Sequence, residues 1–418
     1  MKKNNILFGI VLGFTIVLIF VMLGLIYLKI NQGEIHYNDV SDDGGFSTAF
    51  IQQSHATLKN KNYMVSPYSV EIALSMLREG ANGETLDELN KVVPKRNIKT
   101  LIVKNKVNVA NAVFIKDIYK KDLLPSYMDT LDQEYNADVV YDAFRTPDKI
   151  NNWVNQETHG MIPKILDSMD PDFVLGIANA VAMEEEWKNP FECESTTGYA
   201  FTQRDGKQFD TAMMFQSYEN DASYYKNDEM ESVILPYTIY NRETGKEDEE
   251  GEQLDFIGIL PKDLDSYVED LSMDDVTEIV EHSRTANDRL EITVGLPRFE
   301  FDFDYKQFKK TLNKMGIKNV FNPGCDLSNM IENHPDSYVS EAIHKTYVKV
   351  DEAGTKAAAV TYFGIKDNAA ISTEDVEYVS VIFDKPFVFM IKDHKTNEIL
   401  FFGVVYEPEK WDGKKSCE

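Results

Sequence analysis

The stretch from Thr346 to Thr361 limits what this chain can fold into more than any other. From Thr346 to Val350 the residues alternate as in a strand, and the chain then reads Asp351-Glu352-Ala353-Gly354-Thr355-Lys356-Ala357-Ala358-Ala359-Val360-Thr361. Small, uncharged residues dominate where neither helix caps nor turn chemistry accounts for them. An alanine-rich helix and a flexible linker are two readings of it. The third is a segment that must at times become a central strand. Period-two side chains would then point Thr355, Ala357, Ala359 and Thr361 into a packed interior, with Lys356 outward. Small side chains suit a strand that enters a space already packed near crystal density.

The remaining sequence provides somewhere for such a strand to go. Leu290, Ile292, Val294 and Leu296 alternate with other residues, as do Phe299, Phe301 and Phe303 after Pro297. Val376–Phe383, Phe387–Ile391 and Ile399–Tyr406 are apolar runs of strand length. Helical spacing joins Val70, Ala73, Leu74 and Leu77, with Gly80 as the stop, and Thr85 to Glu88 has capping-box spacing that opens another helix. Phe308, Leu312 and Met315 form a third apolar stripe, ended by Gly316. Helices gather in the first half and strands in the second, which predicts an α+β fold. No repeat or Pro/Gly-rich linker divides the chain, so one domain is expected over 46–411, followed by a short tail, 412–418. Residues 241–255 read as the solvated tip of an acidic hairpin.

The N-terminus is a separate object. Lys2 and Lys3 precede an uncharged run from Asn4 to Leu28, long enough to cross about 30 Å of hydrocarbon at about 1.5 Å per residue. No small-residue cleavage site follows, so residues 1–30 are expected to be an uncleaved signal-anchor and 31–45 a polar tether. The lysine bias places the domain outside a cell membrane; cleavage would instead make it secreted. With 43 basic against 70 acidic residues the net charge is −27, which argues against a nucleic-acid partner. Cys193, Cys325 and Cys417 are odd in number and widely spaced; they predict no disulfide framework and no metal site, and read as two incidental thiols and one near a frayed C-terminus.

Catalytic signatures are missing. There is no G-x-S-x-G elbow, H-E-x-x-H, P-loop or G-x-G-x-x-G, and the seven histidines are scattered. A triad assembled from distant residues is not excluded by motifs, so this only removes positive support for an enzyme.

Several ordered motifs together resemble the serpins. They are Asn62 to Ser69, Ala73 to Met76, Gly80 to Thr85, Ile150 to Val154 leading to Thr158–Ile162, and Asn179 to Met183 followed by Trp187 and Phe191. Leu296 to Phe299, Met315 to Ile317, Asp384 to Phe387 and Leu400 to Val405 complete the series. The resemblance spans about 46–408. It implies three β-sheets with surrounding helices and an exposed reactive-centre loop, no cofactor, and a monomeric protease inhibitor in place of an enzyme. It implies a hinge containing Glu352, Gly354, Thr355, Ala357, Ala358, Ala359 and Thr361. It also implies a shutter of Ser66, Ser69, Asn179 and His344, and a breach at Trp187, where insertion starts. Taken alone, His344 reads as a satisfied core histidine, which agrees with a shutter.

The same resemblance implies a serine or cysteine protease as partner. The protease attacks a bait bond and is trapped as its acyl-enzyme while the hinge inserts as a new strand. Counting forward from Glu352 puts that bond at Asn368–Ala369, whereas counting back from Pro386 puts it near Asp375; insertion constrains the hinge length and favours the former. A non-inhibitory serpin acting as a binding or chaperone-like protein is the alternative, against which the small-residue hinge counts. Anchor, acidic surface and cysteine usage together suggest a bacterial cell-surface protein.

Overall fold

The computed structural model describes residues 45–96, 107–183, 185–238, 240–241, 246–247, 253–287, 289–332, 337–340, 342–355 and 376–414. The expected anchor and nearly all of the tether lie outside them. Among the described residues, no helix is long and apolar enough to cross a membrane.

The first described elements are α1 (Gly45–Leu58), β1 (Tyr63–Val65), α2 (Pro67–Gly80) and α3 (Gly83–Val92). Helix α2 starts where Ser66 Oγ accepts the Ser69 amide and Pro67 fixes the first turn, and it ends at Gly80. The expected start of α3 at Thr85 is corrected. Asn82 caps that helix, and Thr85 lies inside its first turn, donating to Asn319 Oδ1 and accepting from the Asp326 amide. A hydroxyl engaged by distant partners cannot also cap its own helix.

Then come β2 (Val107–Lys116), α4 (Pro125–Tyr135), β3 (Ala137–Asp142), α5 (Asp148–Glu157), β4 (Leu175–Met183) and β5 (Glu185–Glu186). Next are β6 (Thr197–Thr202), β7 (Gln208–Tyr218), β8 (Ser223–Lys226), β9 (Met230–Pro236), β10 (Tyr240–Asn241), β11 (Lys246–Glu247) and β12 (Leu254–Pro261). Helices α6 (Leu264–Glu269) and α7 (Met273–His282) lead to β13 (Arg284–Thr285), β14 (Leu290–Pro297), β15 (Phe299–Asp304) and α8 (Phe308–Lys314). The last strands are β16 (Lys345–Val350), β17 (Gly354–Thr355), β18 (Glu377–Ile382), β19 (Phe387–Asp393) and β20 (Ile399–Val405). The expected partition of helices before strands therefore holds only partly, because strands run through the whole chain.

Among the described residues the strands form three principal sheets. One has the order β1-β20-β19-β12-β9-β8-β13, and a second the order β18-β14-β7-β6. Every residue of β19 and β20 is buried, which explains apolar runs without alternation. Gly403 is needed there because a Cβ would stand 2.2 Å from Phe389. The third sheet comes in two ladders, β3-β2-β4 and β15-β16-β17-β5, with β4 leading into β5. Among the described residues, no ladder joins β4 to β16, although the two strands touch. The sheet is thus joined at one end and open along a seam. The β10–β11 pair, Tyr240 opposite Glu247, makes the acidic insertion a hairpin.

Helix α5 covers one face of the open part. Trp153 and Ile150 pack with Phe114, Phe144 and Phe173, and Trp153 Nε1 donates to Asp138 at 2.8 Å. Elsewhere Arg96 is held between Glu71, which is fully buried, and Glu398 at 2.7 Å. Burial pushes the Glu71 carboxyl up, and Arg96 opposes this. Removing only the guanidinium strands a buried acid. Arg96→Met is therefore expected to lose about 3–5 kcal/mol of stability, read as a lower denaturation midpoint. Combining it with Glu71→Met should recover most of that loss; equal loss in the two variants would refute the account.

Candidate functional site

The site lies at the joined end of the seam, where the small-residue segment meets the third sheet. Strand β17 sits between β16 and β5, with Val350 opposite Thr355, Gly354 opposite Glu186 and Thr355 opposite Glu185. The first residues of the segment are thus already a strand of that sheet. Gly354 permits this approach: a Cβ there would lie 2.1 Å from the Glu185 carbonyl oxygen. Thr355 is buried, as period two predicts, and its hydroxyl lies 2.7 Å from that of Tyr237.

Trp187 organises the surroundings. Its ring stacks on Tyr237 at 4.8 Å and meets Phe256 edge-on at 5.4 Å. Its Nε1 donates to the Asp351 carbonyl and its amide to the Ala353 carbonyl, both at 2.9 Å, while the Phe191 amide donates to Glu352. The Glu352 side chain is buried. It accepts from Thr196 Oγ1 at 2.5 Å and pairs with Arg298 Nε at 3.3 Å. Arg298 also lies 3.8 Å from Glu409. The site therefore grips the segment twice, through its backbone at Trp187 and through Glu352 at Arg298 and Thr196. A buried carboxylate so paired is costly to strand and comparatively cheap to exchange for water with both partners freed.

Farther along the seam, three of the four expected shutter residues come together. Ser66 donates through Oγ to the Leu400 carbonyl at 2.7 Å and receives the Ser69 amide at 3.1 Å; its own amide donates to His344 Nε2 at 3.1 Å. Asn179 lies on β4 opposite Asn111, and its side chain is outside the described residues. Two apolar cavities flank the seam, about 50 Å³ on the α5 side and about 60 Å³ on the α2 side, and Ile177 and Ile343 line both. The sheet is under-packed there on both faces.

Burial lowers the His344 pKa to about 4 from 6.5. Nε2 already accepts the Ser66 amide, so protonation would set two donors against each other. The unfolded chain takes the proton between these two values, so this contribution is intact above about pH 6.5 and falls toward pH 4 by about 3 kcal/mol. Denaturation at pH 4.5 and pH 7 should show a smaller difference in His344→Gln than in the parent; an equal difference would contradict this.

Ala357, Ala358, Ala359 and Thr361, and the expected bond Asn368–Ala369, lie outside the described residues. Among those described, no three His, Cys, Asp or Glu residues are placed to hold a metal ion. Thr196, Tyr237 and Arg298 were not marked as site residues by sequence. Only Arg298 carried a signal, an arginine between two strand runs after Pro297. The reading of Cys193 as an incidental thiol is corrected, because it is disulfide-bonded; Cys325 is free, buried and pushed up to about 11 by that burial.

Comparison with known proteins agrees with this arrangement. A family model described as Serpin (serine protease inhibitor) matches residues 42–408. The chain is 28% identical over 372 residues to the leukocyte elastase inhibitor of Bos taurus, covering 83% of this chain and 93% of that one. It is 26% identical to human neuroserpin, covering 87% and 90%. Among solved structures, a thermophilic serpin, tengpin, in its native state superposes with a TM-score of 0.72 at 26% identity, over 88% of this chain and 95% of that one. Human thyroxine-binding globulin with its hormone superposes at 0.73 with 21% identity, over 87% and 97%, which speaks to the fold alone.

Proposed function

The chain belongs to the serpin family, and on that premise we propose that it inhibits serine, or cysteine, proteases by trapping them as acyl-enzymes. The observation that carries this is the seat of Gly354–Thr355 between β16 and β5 at the mouth of an open seam. Glu352 to Thr361 acts as the hinge, Trp187 marks the breach, and Ser66, Ser69, Asn179 and His344 form the shutter. Nucleophilic attack at Asn368–Ala369 gives an ester to the protease serine and frees the new amine on Ala369. The hinge then zips between β4 and β16 faster than water releases the ester. The native fold persists because a barrier, not equilibrium, keeps the seam open.

The test is incubation with a panel of serine and cysteine proteases. An SDS-resistant complex is expected, with release of a C-terminal peptide whose mass begins at Ala369. Cleavage without any complex across the panel would favour a non-inhibitory, binding role. We place the domain outside a cell membrane, held by residues 1–30. The uncharged run and the disulfide at Cys193 support this, since disulfides persist in oxidising compartments. Membrane fractionation with an N-terminal tag should recover the full-length chain with the membrane; recovery of a shortened soluble chain would make it secreted.

A further inference from the structure

We propose that the outer face of the second sheet, β18-β14-β7-β6, is a dock on which the attacking protease rests while it works on the loop. This deepens the trapping reading and rests on it. Alternation divides the sheet: Ile292, Val294 and Val381 are fully buried, which leaves Glu291, Thr293, Tyr378, Ser380 and Ile382 on the other side. The ladders carry that outer face across the sheet. Tyr378 stands opposite Glu291, Ile382 opposite Gly295, and Gly295 opposite Phe215.

The large apolar side chains exposed among the described residues are Ile118, Tyr199 and Tyr378, and the two tyrosines both lie on this sheet. Tyr378 is 71% exposed. Tyr199, on the opposite edge strand, meets Phe215 edge-on at 5.6 Å, which brings it to the same face. Gly295 leaves a dip between two neighbours: a Cβ there would lie 2.9 Å from both the Phe215 ring and Ile382 Cδ1. Between the aromatic ends, the hydroxyls of Ser217 and Thr293 share a hydrogen bond at 2.9 Å. The chain has 70 acidic residues, yet Glu291 is the one carboxylate at the outward positions of β7, β14 and β18. Rigid tyrosines, small hydroxyls and a glycine are the composition of surfaces that hold folded proteins. The rings supply contact area at little entropic cost, and the hydroxyls adapt to a partner's hydrogen bonds.

The occupant follows from where the loop ends. The described chain stops at Thr355 and resumes at Val376, immediately before β18. In the trapping reading the protease attacks Asn368–Ala369. Ala369 precedes Tyr378 by nine residues, which span at most about 32 Å when fully extended. A folded protease domain of about 230 residues is about 45 Å across. A body of that width, held on that bond, has this face within its reach. Contacts made here act on the encounter, before the bond is cut. They speed the first step and leave the later race between insertion and deacylation alone.

The test pairs Tyr199→Ala with Tyr378→Ala in the full chain. Both side chains are exposed, so the native melting temperature should hold. The probes are trypsin and elastase, each in active form and with its nucleophilic serine replaced by alanine. The double variant should trap the active protease about tenfold more slowly and bind the inactive one about tenfold more weakly. Its rise in melting temperature on loop cleavage should equal the parent's. Ile118→Ala, in the separate turn Asp117–Tyr119, is the control and should change neither rate nor affinity. A parent that traps protease at a rate the double variant matches overturns the dock alone. So does a parent dimer in sedimentation that the double variant dissolves, since the face would then be an interface between two copies. A parent that traps neither probe, nor any member of the wider panel, sinks the trapping reading, and the dock falls with it.

Discussion

If the chain traps proteases as proposed, Thr355→Glu is expected to turn it into a substrate. The protease should cleave the loop and leave, and the yield of SDS-resistant complex should fall at least tenfold. Thr355 is buried, touches the Tyr237 hydroxyl and stands opposite Glu185, itself buried, in the ladder. A carboxylate there must give up water and face a like charge. Arginine is the milder choice, because Glu185 could answer it. Because Thr355 is already seated in the native ladder, the substituted carboxylate is expelled from that seat, and burying it again adds about 3 kcal/mol to the insertion barrier and slows that step by about a hundredfold. Deacylation has no such penalty, so it wins the race. Lys356→Glu is the control: alternation places that residue outward, and complex yield should stay within about twofold. If Thr355→Glu still traps protease with the parent's stoichiometry, the inward face has been assigned wrongly.

Cleavage within the loop should raise the melting temperature by about 20 °C. A new strand between β4 and β16 would add about ten backbone hydrogen bonds, each contributing about 1 kcal/mol, and each kcal/mol shifts a large domain by about 2 °C. Filling the two cavities at Ile177 and Ile343 adds to this. A mild, non-trapped endoprotease followed by calorimetry supplies the measurement. An unchanged melting temperature would sink the insertion mechanism, whatever the family.

Much of this was legible without coordinates. The strand runs at 290–303 and 387–405 correspond to β14, β15, β19 and β20, and the Gly80 stop ends α2. These are local signals: side-chain period and backbone freedom act within a few residues. The start of α3 was misread because Thr85 meets the capping pattern locally, while its hydroxyl is claimed by Asn319 and Asp326, more than two hundred positions away. Cys193 was misread because spacing says nothing of which distant cysteine a fold brings close.

The segment at Glu352–Thr361 shows the same division. Its small residues and their alternation determined that it could be a strand, since size and period are properties of the chain itself. Only the tertiary structure decided that Gly354 and Thr355 already are one, and that Trp187, Tyr237, Thr196 and Arg298 hold the residues around them. Those partners come from three separate stretches of sequence. A latch made of long-range contacts leaves no pattern in any one of them, because its energy resides in distances that exist only after folding.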